Sequence, residues 1–566
     1  MSMNYIDLTL KKKTTQGGVQ QIKECFLANI IDSTNNILVI LGSAGSGKTS
    51  ILKKFFDENV DVAEFFTVKK FLKLDIKIFD STKILLLDGL DEYRSVEHDK
   101  TFVTEALANK LDEINQDIKV VISCREMDWY GNDTKSLKNT LGKNVDLYQI
   151  LPLNYGQKIA LSKLFKVVNP ENFIEKCGQY GFLENPQMLK MLVKTCNVSS
   201  KVITTKSGLY KKFINHSLES NEEYTRNESN LIDESDIYKY AGYIAFYAIF
   251  CNVDKFDEAF IDEIVDSQKG YSRDKIQKTL FTKLFNEKNF AHRTIAEFLL
   301  AQFIFNEKFS TDIMKHRIKS LFLSNGQVPT ELKGTFSWLC SLSSDLEIIK
   351  IDPYYQYCHG DNSMFDDRLK ENIILEIKTL SNDNPYFMNG GKSQDFYNSN
   401  LDDFLIQELN KNLKSKNHYF LFLLQVIDTE KISNIMQSFL KELTENSSIS
   451  SYVFSKIVKW LDDKKFLKNT LDKIKDGEIP DEENRIKESI LKALYPKDMT
   501  HEEVTPYLLC YQQENYIGNY SFLYKTDYKN KKILLEKLHK EGKLNESLRY
   551  FFYDYFAETM SKFENE

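Results

Sequence analysis

At 566 residues the chain is too long for one hydrophobic core and implies about three or four domains. Hydrophobic residues at 42% and charged residues at 28% exclude a disordered or fibrous chain, and a net charge of −7 gives no general electrostatic reason to bind nucleic acid. Few breakers (9 Pro, 22 Gly) beside many Lys, Glu, Leu and Ile predict a mostly helical protein, and eight scattered cysteines without a C-x-x-C pair exclude a zinc ribbon or disulfide framework.

The N-terminal residues 1–33 form a short lead-in with a predicted helix near Val19–Ile31, too little for an effector domain. This segment is polar and lysine-bearing, so no secretory signal is expected. An apolar run, Ile37 to Leu41, then leads into Gly42-Ser43-Ala44-Gly45-Ser46-Gly47-Lys48-Thr49, which is G-x-x-x-x-G-K-[ST] without a departure. A buried strand that turns through glycines into a helix presents a row of N–H groups and the positive end of the helix dipole to an anion. Residues 42–49 with Ser50 are therefore the expected phosphate cradle, Lys48 reaching the β/γ oxygens and Thr49 suiting Mg²⁺. The competing reading, a glycine turn that binds nothing, leaves the flanking strand and the apolar helix face Ile51, Leu52, Phe55 and Phe56 unexplained.

A second apolar run, Ile84 to Leu87, delivers Asp88 to the edge of a sheet, where it is placed for the metal. Asp91 and Glu92, just beyond, are candidates to polarise an attacking water. A third run, Lys119 to Cys124, ends in Arg125, which can report on a γ-phosphate or serve as a structural salt bridge. A further strand is expected near Leu147–Leu151. The longest apolar stretch, Tyr240 to Cys251, is short for a membrane span, so no membrane association and a cytoplasmic location are expected.

The wording Leu-Leu-Leu-Asp-Gly-Leu-Asp-Glu at 85–92 resembles the NACHT family, a branch of the STAND signalling ATPases, and Ile-Ser-Cys-Arg-Glu at 122–126 is similar to that family's sensor 1 segment. Asn185-Pro186-Gln187-Met188-Leu189 resembles its NP-x-x-L segment, and Phe290-Ala291-His292 with Glu297-Phe298-Leu299-Leu300-Ala301 resembles its F-x-H…EFLxA signature. The resemblance implies that Pro186 lies against the adenine and that His292 reaches the β-phosphate of bound ADP. Without it, a histidine before a helix reads as a surface or capping residue.

The resemblance covers about residues 18–308. It implies an α/β P-loop, AAA+-like nucleotide-binding domain at 34–154, a helical domain at 155–200 and a winged-helix domain at 201–308. Helices alone are predicted over 309–566, among them 403–414, 417–427, 431–443, 450–462, 464–475 and 484–495, as a HEAT-like solenoid or an irregular bundle.

The implied function is a slow, regulatory ATP hydrolase acting as a switch. ADP holds a closed form, a protein or nucleic-acid trigger of invader origin releases it, and ATP with Mg²⁺ supports self-association, with output through a separate effector. In bacteria such proteins commonly serve antiviral defence. The alternative is an AAA+-type motor or remodeller acting on nucleic acid or protein, which would turn over quickly and use an arginine finger.

Overall fold

The computed structural model describes residues 6–13, 24–34, 36–74, 82–94, 102–114, 117–129, 131–177, 181–196, 203, 205–219, 232–251, 253, 256–267, 270–286, 289–306, 311–323, 327–383, 393, 395–413, 418–427, 432–445, 449–458, 460–481, 484–508, 530, 533–534 and 537. Seven strands form one sheet: β1 (Leu10–Lys12), β2 (Glu24–Cys25), β3 (Ile37–Leu41), β4 (Ala63–Thr67), β5 (Ile84–Asp88), β6 (Lys119–Cys124) and β7 (Val145–Ile150). Their order is β2-β1-β7-β3-β6-β5-β4; β7 through β4 run parallel, whereas β1 is antiparallel to both of its neighbours.

Near-continuous apolar runs suit strands covered on both faces. Leu38, Ile40, Leu86 and Val121 face one layer, which includes Ile51, Leu52 and Phe55 of α2 (Lys48–Glu58) and Ile30 and Ile31 of α1 (Leu27–Ser33). Their alternate neighbours Val39, Leu41, Leu85, Leu87 and Ile122 face the other layer. That layer contains α3 (Val68–Phe71), α4 (Leu90–Arg94), α5 (Phe102–Asp112) and α6 (Gly131–Leu141). From β3 the chain crosses to β4 at the far edge, returns strand by strand to β6, then passes over to β7. The carboxyl end of β3 is thus a topological switch point, the place where open α/β sheets bind ligands.

The α/β part closes at Asn154, whose side chain accepts the Gln157 N–H at 2.9 Å while Gln157 Oε1 accepts the Asn154 N–H at 3.1 Å. This capping box starts α7 (Tyr155–Leu164), followed by α8 (Pro170–Cys177), α9 (Pro186–Cys196) and α10 (Lys206–Glu219). Next come α11 (Glu234–Phe250), α12 (Glu258–Ser267), α13 (Arg273–Leu280), the antiparallel hairpin of β8 (Phe285–Asn286) and β9 (Asn289–Phe290), and α14 (Arg293–Asn306). α14 packs on α11 and on α16 (Thr330–Ser343), which follows α15 (Thr311–Phe322). α17 (Leu346–Ile349), α18 (Pro353–His359) and α19 (Asp367–Asp383) complete this part.

One feature differs from the sequence expectations. Of the predicted helix near Val19–Ile31, residues 19–23 lie outside the described residues, Glu24–Cys25 is strand, and the helix occupies Leu27–Ser33. By contacts the chain forms two compact units, one extending to Phe396 and the second beginning at Tyr397. The second unit holds α20 (Asp402–Asn412), α21 (His418–Ile427), α22 (Asn434–Glu445), α23 (Ser451–Val458), α24 (Lys464–Lys475), α25 (Arg485–Leu494) and α26 (His501–Leu508). Within it α20 packs on α21 and α22, α22 on α23, and α25 on α23 and α24. Among the described residues no helix is long and apolar enough to cross a membrane.

Candidate functional site

The loop from Gly42 to Gly47 leaves the buried end of β3 and α2 begins directly at Lys48. Gly47 sits at φ +97°, and a Cβ there would come within 2.6 Å of Leu8 Cδ1. Gly45, at φ +73°, is approached as closely by Gln187, whose Oε1 would lie 2.2 Å from a Cβ. Both positions demand glycine, for conformation and for space. Gly47→Ala is expected to cost about 1–2 kcal/mol, seen as a lower midpoint of the first thermal transition. An unshifted midpoint would count against this loop conformation.

No side chain caps the first turn of α2, which carries no acidic residue among the described positions, so its N-terminus keeps its positive end bare for an anion. The Ser46 hydroxyl beside it is buried without a partner among the described residues. Lys48 Nζ donates to the carbonyls of Gly42 at 2.9 Å and Ser43 at 3.1 Å. Burial lowers its pKa, against the pull of Asp91 and Asp88.

Thr49 Oγ1 donates to Asp88 Oδ2 at 2.7 Å. The other Asp88 oxygen accepts the Ser123 hydroxyl, which itself accepts the Gly89 N–H at 2.9 Å. Ser123 thereby fixes the Asp88 carboxylate toward Thr49. A hydroxyl and a carboxylate so close are a pair that could hold a divalent cation such as Mg²⁺. Among the described residues no cluster of three or more His, Cys, Asp or Glu side chains could hold a metal unaided. Glu92 lies one turn beyond, its pKa raised by burial and then by the charges of Asp91 and Asp88.

Asp91, expected with Glu92 as a candidate to polarise water, is engaged with Arg125 in this structure. Its Oδ1 accepts the backbone N–H of Arg125 at 3.1 Å, and its Oδ2 pairs with Arg125 Nε at 2.9 Å. Of the two roles open to Arg125, the salt bridge is therefore formed in this conformation. Burial works against the guanidinium charge, but Glu297 and Asp91 outweigh it and raise the pKa.

One cavity of about 1060 Å³ brings these groups together. Ala44 through Ser50 line it with Asp88, Asp91, Glu92 and Arg125, while Gly42 and Ser43 form the loop's base outside the lining. Pro186 and His292 line the same cavity from α9 and from the turn between β9 and α14. Beside Pro186 the wall is apolar, made by Ile6, Leu8, Leu161, Leu164 and Phe165. Such a wall suits a flat aromatic base.

The segment around Pro186 is tied to the loop. Asn185 Nδ2 donates to the Ala44 carbonyl at 2.9 Å, and the Gln187 N–H reaches the Gly45 carbonyl at 3.3 Å. Gln187 Nε2 continues to Thr294 Oγ1 at 2.9 Å, which lies 3.0 Å from His292 Nδ1. Nδ1 also accepts the Thr294 N–H at 3.2 Å, so the neutral ring carries its proton on Nε2. Burial, then Arg125 and Lys48, push the His292 pKa down to about 4, which keeps the ring neutral near pH 7.

No family model matches the chain, and no curated protein matches it. The site therefore rests on its own geometry. The cavity is lined by the residues singled out from the sequence other than Gly42 and Ser43, and further residues given no role there stand on or beside it. Asn185 and Gln187 flank Pro186 inside a segment already noticed, and Glu297 lies in the helix after His292. Ile6 and Leu8 had no signal, because their place depends on β1 joining β7.

Proposed function

We propose that the chain is a nucleotide-dependent switch of NACHT/STAND type, a slow regulatory ATP hydrolase that exchanges ADP for ATP and self-associates. The observation that carries this reading is the single cavity in which Ala44 to Thr49, Asp88 and Glu92 face Pro186 and His292. A P-loop enzyme of small-molecule chemistry has no use for a histidine delivered from a separate helical module.

In this reading the phosphates lie on the N-terminus of α2, with Lys48 as their main cation. The base lies against Pro186, Leu8 and Leu161. His292, donating through Nε2, bonds the diphosphate and joins the winged-helix-like part, α11 to α14, to the sheet. Mg²⁺, held by Thr49 and Asp88, supplies charge neutralisation to the phosphates. Glu92 accepts a proton from the attacking water. ADP stabilises the closed form only through its differential affinity for that form, so weakened bridging contacts shift the population toward the open one. The open form self-associates, and the trigger, an invader-derived protein or nucleic acid, acts through the helical region. The setting the resemblance suggests is antiviral defence, with output through a separate effector.

Continuous motion along a nucleic acid has less support. α13, the helix that a winged helix would lay in a groove, has its cations matched internally. Arg273 pairs with Glu258 and Asp262, Lys275 with Asp236 at 2.6 Å, and Lys278 with Asp274 at 2.7 Å.

The deciding experiment is mass analysis of the nucleotide retained by purified protein, with its size distribution before and after exchange into ATP. Tightly held ADP, little turnover and growth in size on exchange are expected. An empty protein, or fast hydrolysis stimulated by a polymer, would overturn the switch. His292→Leu is expected to speed ADP release about 10–100-fold, the loss of one hydrogen bond to a charged group. Release of a fluorescent ADP analogue measures this, and an unchanged rate would remove the clamp role.

A further inference from the structure

Arg125 is gripped from two directions. On one side Asp91 takes its backbone N–H and its Nε. On the other, Nη1 lies 3.8 Å from Oε1 of Glu297, a carboxylate only 3% exposed on α14. The same Glu297 oxygen accepts Arg293 Nε at 3.2 Å, and Arg293 goes on to donate to the Glu331 carbonyl at the start of α16, at 2.8 Å. Gly334, about one turn into α16, provides the room for Glu297: a Cβ there would lie 2.3 Å from Oε2 and 2.5 Å from the carboxyl carbon. A line of contacts thus passes from the cavity wall at Arg125 into α14 and on to α16.

Building on the switch reading above, we propose that Glu297 sets the preference of the closed form for diphosphate over triphosphate. It does so by engaging the Arg125 guanidinium that a third phosphoryl group would otherwise take. A γ-phosphoryl group brings a new anion to the side of the cavity where Arg125 stands. Asp91 holds Arg125 by two bonds, so the longer Glu297 contact is the one the phosphate displaces. Glu297 is then left buried with its counter-charge reduced, which is costly in a dry interior. Either triphosphate binds weakly to the closed form, or α14 moves away and the form opens. Diphosphate leaves the Arg125–Glu297 pair intact.

The test compares binding of ADP and of a β,γ-imido ATP analogue to the full chain by calorimetry. The wild type is expected to favour ADP by about tenfold or more. In Glu297→Gln the analogue should tighten about tenfold while ADP changes by less than about threefold. Gly334→Ala displaces the carboxylate without removing its charge and should move the ratio the same way, which keeps the test alive if Glu297→Gln fails to fold. In an Arg125→Ala background, Glu297→Gln should have no further effect on the ratio. A folded Glu297→Gln with the wild-type ratio, or one that shifts the ratio equally without Arg125, overturns the role of Glu297. A wild-type chain that binds neither nucleotide refutes the nucleotide site itself, a separate outcome.

Discussion

Lys48→Ala is expected to leave the purified chain without nucleotide, lowering affinity for ADP and ATP by about 100-fold or more. The ammonium stands at the mouth of α2, bonded to the Gly42 and Ser43 carbonyls. It already bears the cost of burial, shown by its lowered pKa. Asp91 and Asp88 offset that cost only in part, and the phosphates of the proposed ligand would supply the remaining counter-charge. Removing the ammonium also relieves the desolvation cost, so the alanine variant should melt no lower than nucleotide-stripped wild type, and below the loaded wild type by the stabilisation that bound nucleotide gives. Mass analysis of retained nucleotide alongside a melting curve separates the two effects. A folded variant that still carries stoichiometric nucleotide would contradict the role given to Lys48. One that has lost both nucleotide and fold is distinguished by its melting curve.

The parts of this molecule that were legible in the sequence share a physical property: their signal is local. β6 occupies Lys119–Cys124 as expected, because a strand buried on both faces must be apolar throughout. α24 spans Lys464–Lys475 and α21 spans His418–Ile427, close to the periodic segments 464–475 and 417–427. β1 was missed because Leu10, Lys11 and Lys12 present a single buried apolar residue, and pairing with β7 makes the strand. The neighbour of α14 was not legible for a related reason. In the sequence Ile295, Phe298 and Leu299 mark only one apolar face on α14 itself. In fact every residue from Thr294 to Gln302 is buried, and a helix covered all round needs a neighbour on its far side, which is α16. Of the site, the loop and Asp88 could be read directly. The engagement of Asp91 and Glu297 by Arg125 could not, since three distant segments must fold before those charges meet.

Glu92→Gln separates binding from chemistry. ATP hydrolysis is expected to fall about 10²–10³-fold in single-turnover phosphate release, the usual yield of a positioned general base. ADP affinity should stay within about threefold, because Glu92 stands with Asp88 and Asp91 and an amide removes only repulsion toward the phosphates. The pH dependence follows from the direction of its shift. Burial and the two neighbouring carboxylates raise its pKa, so the base is lost by protonation as pH falls through that raised value. The wild-type rate should therefore rise with pH across this range, and the residual rate of Glu92→Gln should lose that rise. Stability moves oppositely: the folded chain holds this proton more tightly than the unfolded one, so ionisation costs stability as pH rises. Glu92→Gln should then melt no lower than the wild type near pH 7. Equal loss of ADP binding, or a hydrolysis rate unaltered by the substitution, would assign the base to another group.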